Sequence, residues 1–273
     1  MNFRRYRFIG ASALVVALVT GLWQCRPAAV ETTSTAGGVP TFTVDPYWPK
    51  RLPAPRDSLG VAHQWVPGEI GGTCVDSHDH IFMINRGWQR GRLGRLIGHE
   101  GSLSIPAPPV VAYDVEGNIV TSWGDASLEQ SGDSLGAAAV MPENFHGCFV
   151  DFENNVWITG ESDGVAQKYS HDGQLLLQIG QKGVCDGPPV RGEGYYSVGF
   201  YPTCAEPGFN QSQTLLTGPS GLWVDPNPDP VTGEVGSVYI ADGYGNFRVV
   251  VFDSRGKYLR QWGSPGSGEG QYV

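Results

Sequence analysis

His146 is the residue of this 273-residue chain best placed to do chemistry. It opens the phrase His146-Gly147-Cys148-Phe149-Val150-Asp151, which recurs as Gly71-Gly72-Thr73-Cys74-Val75-Asp76 and as Ser220-Gly221-Leu222-Trp223-Val224-Asp225. If such phrases repeat around an axis, equivalent positions form a ring. Histidines in alternate copies would then converge as a three-imidazole metal site with room for water or substrate. Only one of the three copies here carries a histidine, and a lone imidazole is more often a structural residue bonded to a neighbouring backbone group. The other polar candidates read more plainly. His78 and His80 fall in a turn between strands and His171 in a later turn, where solvated side chains are expected. Glu161 and Asp163 sit at a strand end as surface charge without a partnered base. Cys74 and Cys148 lie inside the opening phrases and read as buried core thiols. Cys185 and Cys204 flank a Gly/Pro/Tyr-rich insertion, and a disulfide between them would close it, although spacing alone does not fix connectivity.

The elements that must position these residues come from the same repetition. After each opening phrase comes a short β-rich run (81–84, 156–159 and 238–241), and then a closing phrase with a glycine turn (113–124, 169–180 and 252–263). Opening strand, second strand, third strand, turn and fourth strand is the plan of a β-propeller blade. Blades are expected over about 68–125, 144–180 and 217–263 of an all-β domain at 41–273. Residues 41–53 read as a strand with a proline-braced continuation, a candidate clasp for a last blade. The insertion 87–109 carries Arg90, Arg92 and Arg95, read as a solvated loop. The insertion 181–216 carries Tyr195, Tyr196, Phe200 and Tyr201, which suit either a lid over one face or packing against the blade. The stretch 225–236 reads as a surface excursion. Three blades do not close a ring, so the sequence is expected to be a fragment of a chain about twice as long, with a two-copy ring as the alternative.

Composition agrees with many short strands and tight turns: 39 glycines, 20 prolines, 8 tryptophans and 11 tyrosines. A net charge of −9 with interspersed signs offers no basic stripe for phosphates, and nucleic acid is not an expected partner. Residues 1–24 read as a signal peptide or membrane anchor, with Arg4, Arg5 and Arg7 ahead of the apolar run 8–23. Cys25 stands where a lipoprotein would be acylated, but Gln24 replaces the small residue that such a signal wants. Residues 25–40 read as a disordered linker. The body is therefore expected to be periplasmic or extracellular, with any membrane attachment through the N-terminal segment only.

The repeat phrases resemble NHL repeats, and their setting is similar to the lyase half of the peptidylglycine amidating enzymes. Phe82-Met83-Ile84-Asn85-Arg86-Gly87 resembles that family's first-blade motif, and Phe145-His146-Gly147 its Pro-His-Gly opening. Asp242-Gly243-Tyr244-Gly245-Asn246-Phe247-Arg248 resembles its tyrosine segment, followed by the closing phrase 256–263. The lead-in 44–50 resembles that of bacterial members. The resemblance covers 41–273 and implies half of a six-bladed ring. It implies an arginine that grips the substrate carboxylate (Arg86), a zinc ligand (His146), and a tyrosine beside the metal acting as catalytic base (Tyr244). It also implies a calcium ion held by the backbone carbonyls of Thr73 and Cys148. The implied reaction cleaves a peptidyl-α-hydroxyglycine-like carbinolamide to an amide and glyoxylate, with a small-molecule or peptide substrate. Two departures stand out. The family's cysteine in the tyrosine segment is Gly245 here, and its bridging partner falls near Thr217, so that disulfide is lost. The remaining zinc histidines and a second arginine would lie beyond Val273, so the polypeptide as written is expected to be inactive. The competing expectation is a non-catalytic binding scaffold. A lactonase-type propeller would need several hub carboxylates, and few are evident.

Overall fold

The computed structural model describes residues 41–86, 103–124, 141–142, 145–161, 164–182, 184, 189–190, 203–204 and 210–272. The N-terminal segment and linker over 1–40 lie outside the described residues, as do Arg90, Arg92, Arg95, Asp163, Tyr195, Tyr196, Phe200 and Tyr201. Cys185 lies outside them too, and with it the expected Cys185–Cys204 pairing. The chain divides into two compact units, Met1–Asp45 and Pro46–Val273. In the first, the described residues 41–45 form no strand.

Among the described residues the second unit is all-β. Its strands are β1 (Gln64–Val66), β2 (Ile70–Val75), β3 (Ile81–Asn85), β4 (Ser104–Pro106), β5 (Val110–Tyr113), β6 (Ile119–Trp123), β7 (Phe145–Val150), β8 (Val156–Gly160), β9 (Val165–Tyr169), β10 (Leu175–Gly180), β11 (Pro189–Val190), β12 (Thr203–Cys204), β13 (Pro219–Val224), β14 (Val238–Asp242), β15 (Arg248–Phe252) and β16 (Tyr258–Trp262). Three four-stranded antiparallel meanders carry the architecture: β2-β3-β5-β6, β7-β8-β9-β10 and β13-β14-β15-β16. A parallel pair β1-β4 and a short antiparallel pair β11-β12 accompany them. The first strands neighbour one another, with β2 against β7 and β7 against β13.

Period-two patterning explains how the sheets stack. All five residues of β8 are buried. Val156 and Ile158 join a cluster with Phe82, Ile84 and Val110 of the first sheet, whereas Trp157 between them joins Val238, Ile240 and Val250 of the third. The middle sheet is thus apolar on both faces. Each opening phrase ends in an aspartate for a local reason. Asp76 accepts the backbone N–H of His78 and His80 at 2.8 and 2.9 Å, and Asp151 accepts those of Glu153 and Asn155 at 3.0 and 2.9 Å. The carboxylate builds the turn into the second strand.

Two expectations need correction. Residues 41–53 contain no strand. Three prolines (Pro46, Pro49 and Pro53) remove backbone donors from this stretch, and Lys50 N–H instead bonds Gly117 O at 3.0 Å on the β5–β6 turn. Cys74 and Cys148 are not separate thiols: they form a disulfide joining β2 to β7, with Cα atoms 5.4 Å apart and 74 residues between them in sequence. Gly72 permits this approach, because a Cβ there would lie 3.1 Å from Cys148 N. The stretch 225–236, expected as a surface excursion, is largely exposed, and it is organised around one buried acid. Asp229 accepts Val231 and Thr232 N–H at 2.9 and 3.1 Å, Ser237 Oγ–H at 3.0 Å and Arg260 Nη1–H at 2.7 Å.

Two measurements check these contacts. Cys148→Ser should lower unfolding free energy by about 2–4 kcal/mol, and a non-reduced digest should yield one peptide pair joined through Cys74. Finding both thiols free to alkylate in unreduced, denatured protein would exclude the bridge. Burial pushes the Asp229 carboxyl up, but the Val231 N–H, Arg260, the Thr232 N–H and Ser237 together hold it below its ordinary 3.8. Its contribution is therefore present above 3.8 and is lost as pH falls through the lower folded value. Asp229→Asn should be less stable than wild type at neutral pH in urea titrations, and the gap should close in acid.

Candidate functional site

The three first strands share one irregularity. Register slips between Ile70 and Gly72 in β2, between Phe145 and Cys148 in β7, and between Pro219 and Gly221 in β13. A bulge of this kind lifts a residue out of the ladder and re-aims it. The residues concerned are Gly71, His146 with Gly147, and Ser220, the same repeat position in each sheet. At the bulge the freed Gly147 N–H is taken up by Thr159 Oγ1 at 2.7 Å. A Cβ on Gly147 would come within 2.7 Å of Gly221 Cα, so only glycine lets β7 and β13 meet here.

His146 is half-buried and bonded at both ring nitrogens. Nδ1 lies 2.6 Å from Ser220 O, and Nε2 lies 2.8 Å from Tyr244 Oη. A carbonyl oxygen only accepts, which assigns the proton to Nδ1 and leaves Nε2 as a lone pair receiving the tyrosine O–H. Ring centroids of His146 and Tyr244 are 5.0 Å apart, edge to face. On the other side, Arg86 Nε donates to Phe145 O, the carbonyl just before His146. Its Nη1 lies 3.4 Å from the largely exposed Glu69 carboxylate. A Cβ on Gly71 would sit 2.8 Å from Arg86 Nε, so the glycine leaves the guanidinium its path. Arg86, His146 and Tyr244, one from each sheet, thus form a single connected line.

Tyr244 owes its place to a buried ion pair. Asp242 and Arg248 have fully buried side chains, with Arg248 Nε 3.0 Å from Asp242 Oδ2. The same carboxylate accepts Asn246 Nδ2–H at 2.7 Å and Thr217 N–H at 2.7 Å. Arg248 also donates to Ser212 O, Leu215 O and Gln261 Oε1, each at 2.7 Å. Burial pushes the Asp242 carboxyl up, and the Arg248 charge pulls against it, helped by Asn246 and the Thr217 N–H. Gly245 lies directly on Thr217, its N–H bonding Thr217 O at 2.8 Å. A Cβ at Gly245 would collide with Thr217 Cγ2.

Of the carbonyls expected to hold calcium, Thr73 belongs to β2 and Cys148 to the neighbouring β7. A second cluster was missed from sequence. His78, His80 and His171, read as solvated turn residues, gather on Asp76 where the first and second sheets meet. His80 Nδ1 and His171 Nε2 lie 2.9 and 3.0 Å from Asp76 Oδ2, and His78 Nδ1 lies 3.9 Å away. Burial raises the Asp76 pKa, but the His80 N–H, the His171 side chain, the His78 N–H and the His80 side chain outweigh it and hold the carboxyl at about 2. Sequence offered no direct signal, because His78 and His80 lie in the turn between the first and second strands of one sheet and His171 in the turn between the third and fourth strands of the next.

Peptidylglycine alpha-amidating monooxygenase of Rattus norvegicus is 24% identical over 211 residues, covering 74% of this chain and 17% of the rat protein. The Mus musculus peptidyl-glycine alpha-amidating monooxygenase aligns with the same identity and coverage. The chain therefore spans 17% of the length of these relatives. No family model matches it. A crystal structure of a Bacteroides thetaiotaomicron protein of unknown function superposes with a TM-score of 0.37 at 13% identity, covering 68% of this chain and 33% of that one. The similarity to peptidylglycine amidating enzymes is distant.

The ion pair gives this site a stability signature. Arg248→Ala should cost about 3–5 kcal/mol, because it strands a buried carboxylate. Tyr244→Phe removes one half-buried hydrogen bond and should cost about 1 kcal/mol. Urea unfolding of the two variants checks the contrast, and equal losses would contradict it.

Proposed function

We propose that the three meanders are blades of an NHL-type β-propeller and that the line Arg86–His146–Tyr244 is a carbinolamide-cleaving centre that acts through these residues, in place of the inactivity expected from the sequence. The substrate class is an N-acyl-α-hydroxyglycine, with an amide and glyoxylate as products. The observation that carries this reading is the hydrogen bond from Tyr244 to His146 Nε2, with Arg86 bonded to the carbonyl preceding His146. The distant similarity to amidating enzymes supports it. So does the contact between Gly245 and Thr217, at the two positions where the resemblance puts a family disulfide.

The residues present define a proton path. Tyr244 passes its proton to His146 Nε2 while its oxygen takes the proton of the substrate hydroxyl. The carbinol C–N bond then breaks, the hydroxyl oxygen becomes the aldehyde oxygen of glyoxylate, and the departing nitrogen takes the proton held on Nε2. The Nδ1–H bond to Ser220 O keeps the imidazole in the tautomer that this transfer needs. Arg86 exchanges its exposed Glu69 partner for the substrate carboxylate.

Zinc expected at His146 would polarise the substrate hydroxyl. A zinc ion takes at least three protein ligands in a catalytic site, and among the described residues His146 belongs to no group of three histidine, cysteine or carboxylate side chains that could hold one. The donor set at His146 does not by itself fit the ion, and no step is routed through it. Calcium on the carbonyls of Thr73 and Cys148 belongs to the same proposal and carries no step. Export belongs to it as well, and the Cys74–Cys148 disulfide supports an oxidising compartment.

The lone metal donor favours one competing reading, a propeller that binds ligands at this centre without turning them over. Glyoxylate release from N-benzoyl-α-hydroxyglycine, with and without added zinc, separates the two. Catalysis should fall about 10²–10⁴-fold in Tyr244→Phe and in His146→Ala. Folded wild type that binds the compound yet releases no glyoxylate above background, zinc supplied, leaves only the scaffold.

A further inference from the structure

The cluster where turns of the first and second sheets meet has the composition of a metal centre and plays no part in the chemistry above. Asp76 closes the β2–β3 turn, and His80 lies four residues on in the same turn. His171 comes from the β9–β10 turn, 95 residues away in sequence from Asp76. The three ligand atoms lie within 4.8 Å of one another. A carboxylate oxygen and an imidazole nitrogen bound to one zinc at about 2.0–2.2 Å sit roughly 3 Å apart. The observed separations from Asp76 Oδ2 are 2.9 and 3.0 Å.

The donors are pre-oriented. Oδ1 of Asp76 is tied to two backbone N–H groups, which leaves Oδ2 to face the imidazoles. His171 is held by Phe82, edge-on at 5.2 Å between ring centroids, while its carbonyl accepts Trp123 Nε1–H at 3.2 Å. His78 stacks on His80 at 5.8 Å. An open cleft lined by His78, His80, Glu153, Asn154, Asn155 and His171 gives an ion its route in.

We infer that Asp76, His80 and His171 form a binding site for a zinc-class divalent transition metal, bridging the β2–β3 turn of the first sheet and the β9–β10 turn of the second. Two imidazoles and one carboxylate suit Zn²⁺ or its Co²⁺ surrogate over Ca²⁺ or Mg²⁺, which favour all-oxygen shells. The ion replaces two N–H···O contacts with bonds from His80 Nδ1, His171 Nε2 and Asp76 Oδ2. In each neutral imidazole the proton moves to the other ring nitrogen. Water fills the remaining position, or His78 swings its exposed ring into it.

Co²⁺ absorption and zinc stoichiometry on chelator-treated full chain test this. His146→Ala is the control that removes any ion at the other centre. Wild type and His146→Ala should each show a Co²⁺ d–d band and retain a zinc ion assigned to this cluster. His171→Gln should bind it at least tenfold more weakly while keeping its β-sheet circular dichroism. Should His171→Gln fail to fold, His80→Gln, whose ring is partly exposed, serves in its place with the same expectation. The site is excluded if His146→Ala binds no metal. It is excluded equally if the folded His171 or His80 variant binds as tightly as wild type. Either outcome leaves the carbinolamide reading untouched, because that is read from glyoxylate release.

Discussion

Everything at the centre of this structure depends on how closely three backbones approach one another. β2, β7 and β13 each bulge at the same repeat position, and glycine beside or at the bulge removes the side chain that would hold the strands apart. Gly71 clears the path of Arg86, Gly72 admits Cys148, and Gly147 meets Gly221. Without these contacts Arg86 would not reach Phe145 O, and His146 Nδ1 would not reach Ser220 O. The bulge supplies direction and the glycines supply distance. Together they turn a repeated phrase into a place where residues from three sheets touch.

Around that centre the restraints differ in kind. The Asp242–Arg248 pair is buried and fully hydrogen-bonded, and it fixes the loop carrying Tyr244 against the segment 212–217. Its value lies in definition of geometry more than in net stability, since desolvation offsets much of the attraction between buried charges. Apolar packing does the broader work. The middle sheet is covered on both faces because its strands alternate between the two clusters.

The all-β class and the strands inside each repeat phrase were legible in the sequence, because period-two patterning and glycine turns are local signals. Arg86, His146 and Tyr244 were found through motif order, and the structure brings them together. What sequence did not disclose was contact between sheets. Cys74 and Cys148 looked like two equivalent core thiols, because repeat equivalence says which positions correspond but not which atoms meet. His171 and Asp76 looked like unrelated turn residues for the same reason. The 41–53 stretch misled in the opposite way: it read as a strand with a proline-braced continuation, and it forms no strand.

The disulfide has a mechanical consequence. It staples the seam between the first and second sheets at their inner strands, whereas among the described residues the seam between the second and third is crossed by no covalent link. That second seam is spanned by apolar packing and by the two hydrogen bonds of His146. The two hydrogen bonds of His146, to Ser220 O and from Tyr244, therefore cross the seam that no disulfide staples among the described residues.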